Sequence, residues 1–249
     1  MEISPQNNID LKYSWYFLSI MTLSFAVSFI DRQVMTLLIE PIKSDLLIND
    51  TQVSLLIGFA FSIFYISMAI PIARLVDRGN RVNIISLGVF FWSLMTAVCG
   101  LAKNYWQLFL ARVGVGVGEA TLTPAVYSLI PDYFPKEKLG TAVGFYMLGM
   151  SFGTGFALVL GGAILSYVSN IGDIVFPIVG TLRPWQVTFV IVGLPGIFLA
   201  LLIKLSIKEP VRRNIFDNDS SSIDKTSLIS FLNNNKKTLS LITLAYSFG

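Results

Sequence analysis

Four ionisable residues stand inside stretches otherwise fit for hydrocarbon: Asp31 and Arg32 in the first apolar run, Arg112 and Glu119 in the fourth. A charge at the centre of a membrane helix costs about 2.5 to 3.5 kcal/mol even on the lenient insertion scale, so all four are expected to face a cavity or one another. At 1.5 Å per residue from the outer helix ends, Asp31 lies roughly 12 Å deep, Arg112 roughly 9 Å and Glu119 roughly 20 Å. Arg112 and Glu119 are almost two full turns apart, which places them on one helix face about 10 Å from each other. Asp31 and Arg32 are adjacent and point about 100° apart, so one can line a cavity while the other pairs sideways. The arginines can hold an anion. The carboxylates can carry a proton, and in a chain without histidine any proton relay must use them. Glu119, the deeper acid, is the better placed for that task. The blander alternative is an ion-pair network that only holds the first and fourth helices together.

The same inventory excludes other chemistry. With no histidine and a single cysteine, Cys99, in an apolar helix, the chain offers neither a metal-ligand set nor a nucleophile with its base. No metal, no cofactor and no enzymatic activity are expected. The run Gly114-Val115-Gly116-Val117-Gly118 is not a dinucleotide turn, because no strand precedes it and its surroundings are apolar throughout.

The elements that must position these residues are membrane helices. Of the 249 residues 54% are hydrophobic and 13% charged, about half the charge of a soluble domain. Apolar stretches long enough to cross a bilayer run approximately from Ser14 to Ile39, Val53 to Ala73, Val82 to Leu101, Trp106 to Ile130, Leu139 to Val168 and Val187 to Leu205. A further one begins near Leu239. The reading is therefore an all-α membrane protein: a cytoplasmic N-terminus over 1–13, a six-helix transmembrane bundle over 14–205, a polar cytoplasmic linker over 206–238, and the start of a truncated seventh helix over 239–249. Small residues in helix four (Gly114, Gly116, Gly118) and helix five (Gly144, Gly149, Gly153, Gly155, Gly161, Gly162) let backbones approach closely.

Charge orients the bundle. Of eighteen Lys and Arg residues, Arg32 and Arg112 are inside helices and Lys43, Lys103 and Arg183 fall on one side, which leaves thirteen for the other. That asymmetry predicts a multi-pass protein of the inner membrane with a cytoplasmic N-terminus. The net charge of +3 thus reports topology, and no nucleic-acid groove is visible.

The loop Arg74-Leu75-Val76-Asp77-Arg78-Gly79-Asn80-Arg81 resembles the signature after the second helix of major facilitator transporters, Gly-x-Leu-x-Asp-Arg-x-Gly-Arg-Lys. Leu75, Asp77, Arg78 and Arg81 match, while Ala73 and Asn80 replace the glycines and Val82 the final basic residue. Together with Asp31-Arg32, Phe91-Trp92-Ser93-Leu94, Arg112 through Ala120 and Val192-Gly193-Leu194-Pro195-Gly196, the chain resembles the Spinster-like family, as the N-terminal half of a major facilitator fold. Members are twelve-helix facilitators, and animal members move lysolipids or sphingoid phosphates. The resemblance implies that Asp31, Arg32, Arg112 and Glu119 form the polar part of a central substrate and proton-coupling cavity. It implies a cytoplasmic gate at Asp77, Arg78 and Arg81, with the other half of the cavity in a C-terminal half that this sequence lacks. The expected partners are protons, the lipid bilayer and a small-molecule or lipid-like substrate. Phe25, Phe29, Tyr127 and Tyr146 would wall the cavity if they face inward. Proton-coupled movement of an amphiphilic or anionic solute is expected. Uptake of a sugar acid or other organic anion is the alternative within transport, and a non-transporting scaffold or receptor the alternative outside it.

Overall fold

The computed structural model describes residues 10–176, 180–212, 230, 233–238 and 240–241. It divides into two compact units, Met1–Val211 and Arg212–Gly249. In the first, α1 (Leu11–Leu37) starts at Asp10, whose carboxylate accepts the amides of Lys12 and Tyr13. A short helix, α2 (Ile39–Leu46), follows. Next come α3 (Asp50–Ser54), a π-helical turn (Leu55–Phe59) and α4 (Ala60–Arg78), then α5 (Arg81–Cys99), α6 (Tyr105–Glu119) and α7 (Leu122–Tyr133). A 3₁₀ turn (Lys136–Lys138) leads into α8 (Leu139–Ile171), a two-stranded antiparallel hairpin of β1 (Ile174–Phe176) and β2 (Gly180–Leu182), and α9 (Pro184–Ser206).

Among the described residues six spans are long and apolar enough to cross a membrane: Leu11–Leu37, Asp50–Arg78, Arg81–Cys99, Tyr105–Tyr133, Lys136–Ile171 and Pro184–Ser206. Local sequence explains their starts. Asn49 and Gln52 form a reciprocal capping box at α3. Asn80 and Asn104 accept the amides of Asn83 and Gln107 at α5 and α6. Pro184 opens α9, where a missing N–H costs nothing.

Three features depart from the sequence reading. The fourth span is two helices, broken at Ala120–Thr121, because Pro124 cannot donate a hydrogen bond to Ala120 and its ring crowds that carbonyl. The connections are also structured, α2 and the hairpin lying between spans. The charged loop shrinks to Gly79 and Asn80, since α4 continues through Asp77 and Arg78 and α5 begins at Arg81. Within the stretch read as linker, residues 230, 233–234 and 236–238 are helical, which fits the good helix propensity of lysine. Residues 213–229 lie outside the described residues, as does the expected seventh helix apart from 240–241, which are helical.

In the first unit α1 packs along α8 and α5 along α9, while α6 contacts both α4 and α5. Trp92, Phe17, Met21 and Leu108 are fully buried between them. The second and fifth spans are the least covered, 22% buried against 50–61% for the other four.

Candidate functional site

The crossings that carry the charged residues are close because their helices present glycine. A Cβ on Gly116 would lie 2.6 Å from the Phe61 carbonyl oxygen, and one on Gly118 2.7 Å from the Trp92 backbone nitrogen. Gly114 sits against the Met95 side chain. On α8, Gly149 and Gly153 meet the carbonyls of Thr22 and Ala26 at 2.6 and 2.5 Å, and Gly161 meets Leu37. Gly144, Gly155 and Gly162 have nothing within 4 Å, so helix five carries its glycines on two faces, only one of them closing on α1. The approach of α6 to α4 and α5, and of α8 to α1, brings polar groups from several helices to one depth.

There Arg32 of α1 meets Glu119 of α6: Nε donates to Oε2 at 2.7 Å, and Nη2 lies 2.5 Å from the same oxygen. Glu119 is buried, with its Oε1 lacking a donor among the described residues. Arg32 is partly open and its guanidinium is packed by aromatic rings, 4.6 Å from the Phe61 centroid, 4.9 Å from Phe29 and 5.2 Å from Tyr65. Asp31 is buried on the adjoining face, where its Oδ2 accepts from Thr96 Oγ1 at 3.2 Å and its Oδ1 has no partner among the described residues. Arg112, 2% exposed, lies 5.5 Å from the Phe61 centroid, and its Nε and Nη1 have no acceptor among the described residues.

All four charges therefore belong to one buried cluster of two cations and two anions, in which Asp31 interacts with Glu119, Arg112 and Arg32 through space. The cluster is only half closed. One ion pair is made, while Asp31 and Arg112, of opposite charge, keep unsatisfied atoms. Breaking a made pair of this kind from one side costs about 3 to 5 kcal/mol, because the remaining charge is stranded.

An aromatic row leads away from the cluster. Phe29 sits edge-on to Phe25 (5.1 Å), Phe25 stacks on Tyr146 (4.6 Å), and Tyr127 meets Tyr146 edge-on (5.9 Å). Sequence reasoning missed Thr96, Phe61 and Tyr65. Thr96 stands one turn beyond Trp92 on a helix with few polar residues, and Phe61 and Tyr65 share a face by their i, i+4 spacing. Neither pattern identifies its partner helix.

At the basic end a second network forms around Arg81. Although its neighbours Asp77 and Arg78 are exposed, Arg81 is 1% exposed. Its Nη1 reaches Asp132 at 2.5 Å and the Ser128 carbonyl at 2.9 Å, and its Nε reaches Glu209 at 2.6 Å. Glu209 also accepts the Val82 amide. Arg81 is therefore not an open loop side chain, and its burial is compensated by two carboxylates that the sequence did not single out. Beside it the chain after α9 is strapped down: Tyr13 donates to the Ser206 carbonyl and accepts the Lys208 amide, and Tyr133 donates to the Lys208 carbonyl.

A six-span membrane bundle with charge buried between its helices defines the class, and comparison with known proteins gives the family. Residues 21–249 match the Major Facilitator Superfamily, and the chain belongs to it. The Spinster resemblance holds as well. A solved bacterial homologue of the human lysosomal transporter Spinster, inward-facing and unoccupied, superposes with TM-score 0.72 at 40% identity, over 85% of this chain and 45% of that one. An MFS-type efflux pump of Mycolicibacterium smegmatis is 30% identical over 81% of this chain and 46% of its own length. A probable L-galactonate transporter of Escherichia coli is 28% identical over 70% of this chain and 35% of its own. The chain spans less than half the length of each.

Proposed function

We propose that this chain forms part of a proton-coupled, alternating-access transporter whose path runs past Asp31, Arg32, Arg112 and Glu119, and whose cargo is an amphiphile with an anionic head, lysolipid-like in character. The observation that carries this reading is Arg112: a buried guanidinium with two nitrogens lacking acceptors is matched to an anion that arrives from outside the chain. Arg32 is already held by Glu119, so it serves less well as the free anion contact. The row Phe29, Phe25, Tyr146 and Tyr127 offers an apolar body somewhere to lie. Glu119, with one oxygen paired and one without a donor, is the group assigned to carry the proton. Arg81, Asp132 and Glu209, next to Asp77 and Arg78, are assigned to the gate at the basic end. The thirteen-to-three asymmetry supports an inner-membrane location with that end cytoplasmic.

A compact organic anion is the second reading, favoured by the similarity to a protein named as a probable L-galactonate transporter. The test is competition binding on purified, reconstituted protein. Lysophospholipids should displace a labelled ligand better than hexonates do, and Arg112→Ala should weaken the anionic ligand by about 1.5 to 3 kcal/mol, the range for a hydrogen bond to a charged group. Tight hexonate binding that no amphiphile disturbs would favour the second reading.

A further inference from the structure

Between α5 and α9 the outer surface of the bundle holds a groove of about 550 Å³. Its walls are ladders at helical spacing: Asn83, Leu87 and Phe90 on α5 face Lys204, Leu201 and Phe198 on α9. The helices run in opposite directions, so the apolar members meet at depth while Asn83 and Lys204 close the basic end together. Ser86 lines the groove too, but its hydroxyl is spent on the Ala200 carbonyl at 2.9 Å, so the wall is apolar in effect. Leu87, Phe198 and Leu201 are well exposed.

A second concavity of about 560 Å³ lies along α9, from Ile191 past Pro195 to Leu202. Phe198 borders both. From Ile191 to Lys204 the helix rises about 20 Å, somewhat more than half of a hydrocarbon core that is roughly 30 Å thick. Two apolar depressions on either side of the Phe198 ring, one of them closed at the basic end by Asn83 and Lys204, offer room for the two acyl chains of a lipid.

Charge selects the headgroup. The Lys204 ammonium donates to the neutral Asn83 Oδ1 at 2.6 Å and is in no ion pair among the described residues. Glu209, the acid a few residues on, is committed to Arg81. A lysine at the membrane surface with no anion of its own attracts a phosphate.

We propose that this groove is a binding site for an anionic glycerophospholipid of the leaflet at the basic end, its acyl chains on either side of Phe198 and its phosphate on Lys204. The occupant is a resident lipid and not the cargo, and the site is independent of the charge cluster between α1 and α6.

Native mass spectrometry of the purified protein, after exchange into phosphatidylglycerol or phosphatidylcholine, tests it. The wild type should retain one phosphatidylglycerol under activation that strips phosphatidylcholine. Lys204→Gln should lower that retention fivefold or more, and Lys103→Gln at the opposite end should leave it unchanged. Equal retention of the two lipids, a smaller loss in Lys204→Gln, or an equal loss in Lys103→Gln would mean annular contact only and overturn the proposal. Leu201→Trp, on an exposed position, guards against misfolding of the lysine variant: it narrows the groove with the charge intact and should expel the lipid to the same degree. Unchanged retention there also overturns the site.

Discussion

Arg32 on α1 grips Glu119 on α6 through two nitrogens that converge on one oxygen, at 2.7 Å for Nε and 2.5 Å for Nη2, and leaves the other oxygen of Glu119 without a protein donor. The pair joins two spans at membrane depth, yet half of the carboxylate stays available. Arg32→Ala should cost about 3 kcal/mol, the lower end of the range for a broken buried pair, because Arg32 is partly open. Arg32→Ala combined with Glu119→Gln should recover most of the loss, as the stranded charge is gone. Chemical unfolding in detergent measures both, and a double variant no better than the single one would mean that the pair does not set stability.

The network at Arg81 is more deeply buried and should be less forgiving. Arg81→Ala removes the guanidinium that Asp132 and Glu209 share, with an expected loss of about 3 to 5 kcal/mol. Arg81→Lys keeps the charge but not the fork that serves both acids, so it should fall between. A near-neutral Arg81→Ala in the same unfolding assay would show that the acids find other partners.

Orientation can be tested independently of either cluster. Cys99 is fully buried, so the native thiol should stay silent to aqueous reagents. Single cysteines at the exposed positions of Arg78 and Lys103 should react from opposite faces of intact cells, Lys103→Cys from outside. Reaction of both from the same face would contradict the span assignment.

The six spans were legible because hydrocarbon demands long, unbroken apolar runs, and composition alone records that demand. The four buried charges were legible for the complementary reason, since an ionisable residue in such a run has few bland uses. What could not be read was pairing. Asp31, Arg32, Arg112 and Glu119 were expected near one another, but that Arg32 rather than Arg112 takes Glu119 depends on how α1 is placed against α6, which no local pattern records. The burial of Arg81 was not legible because its partners, Asp132 and Glu209, are far away in sequence. The break after Glu119 was hidden by an apolar run, although Pro124 marks it.

The proposed coupling of proton movement to transport rests on Glu119. The most direct measurement compares accumulation with exchange in proteoliposomes bearing an imposed proton gradient, for the wild type and Glu119→Gln. Glutamine preserves size and can still meet Arg32 but cannot release a proton, so gradient-driven accumulation should be lost while exchange at zero gradient persists. Accumulation at the wild-type level in Glu119→Gln would contradict the claim.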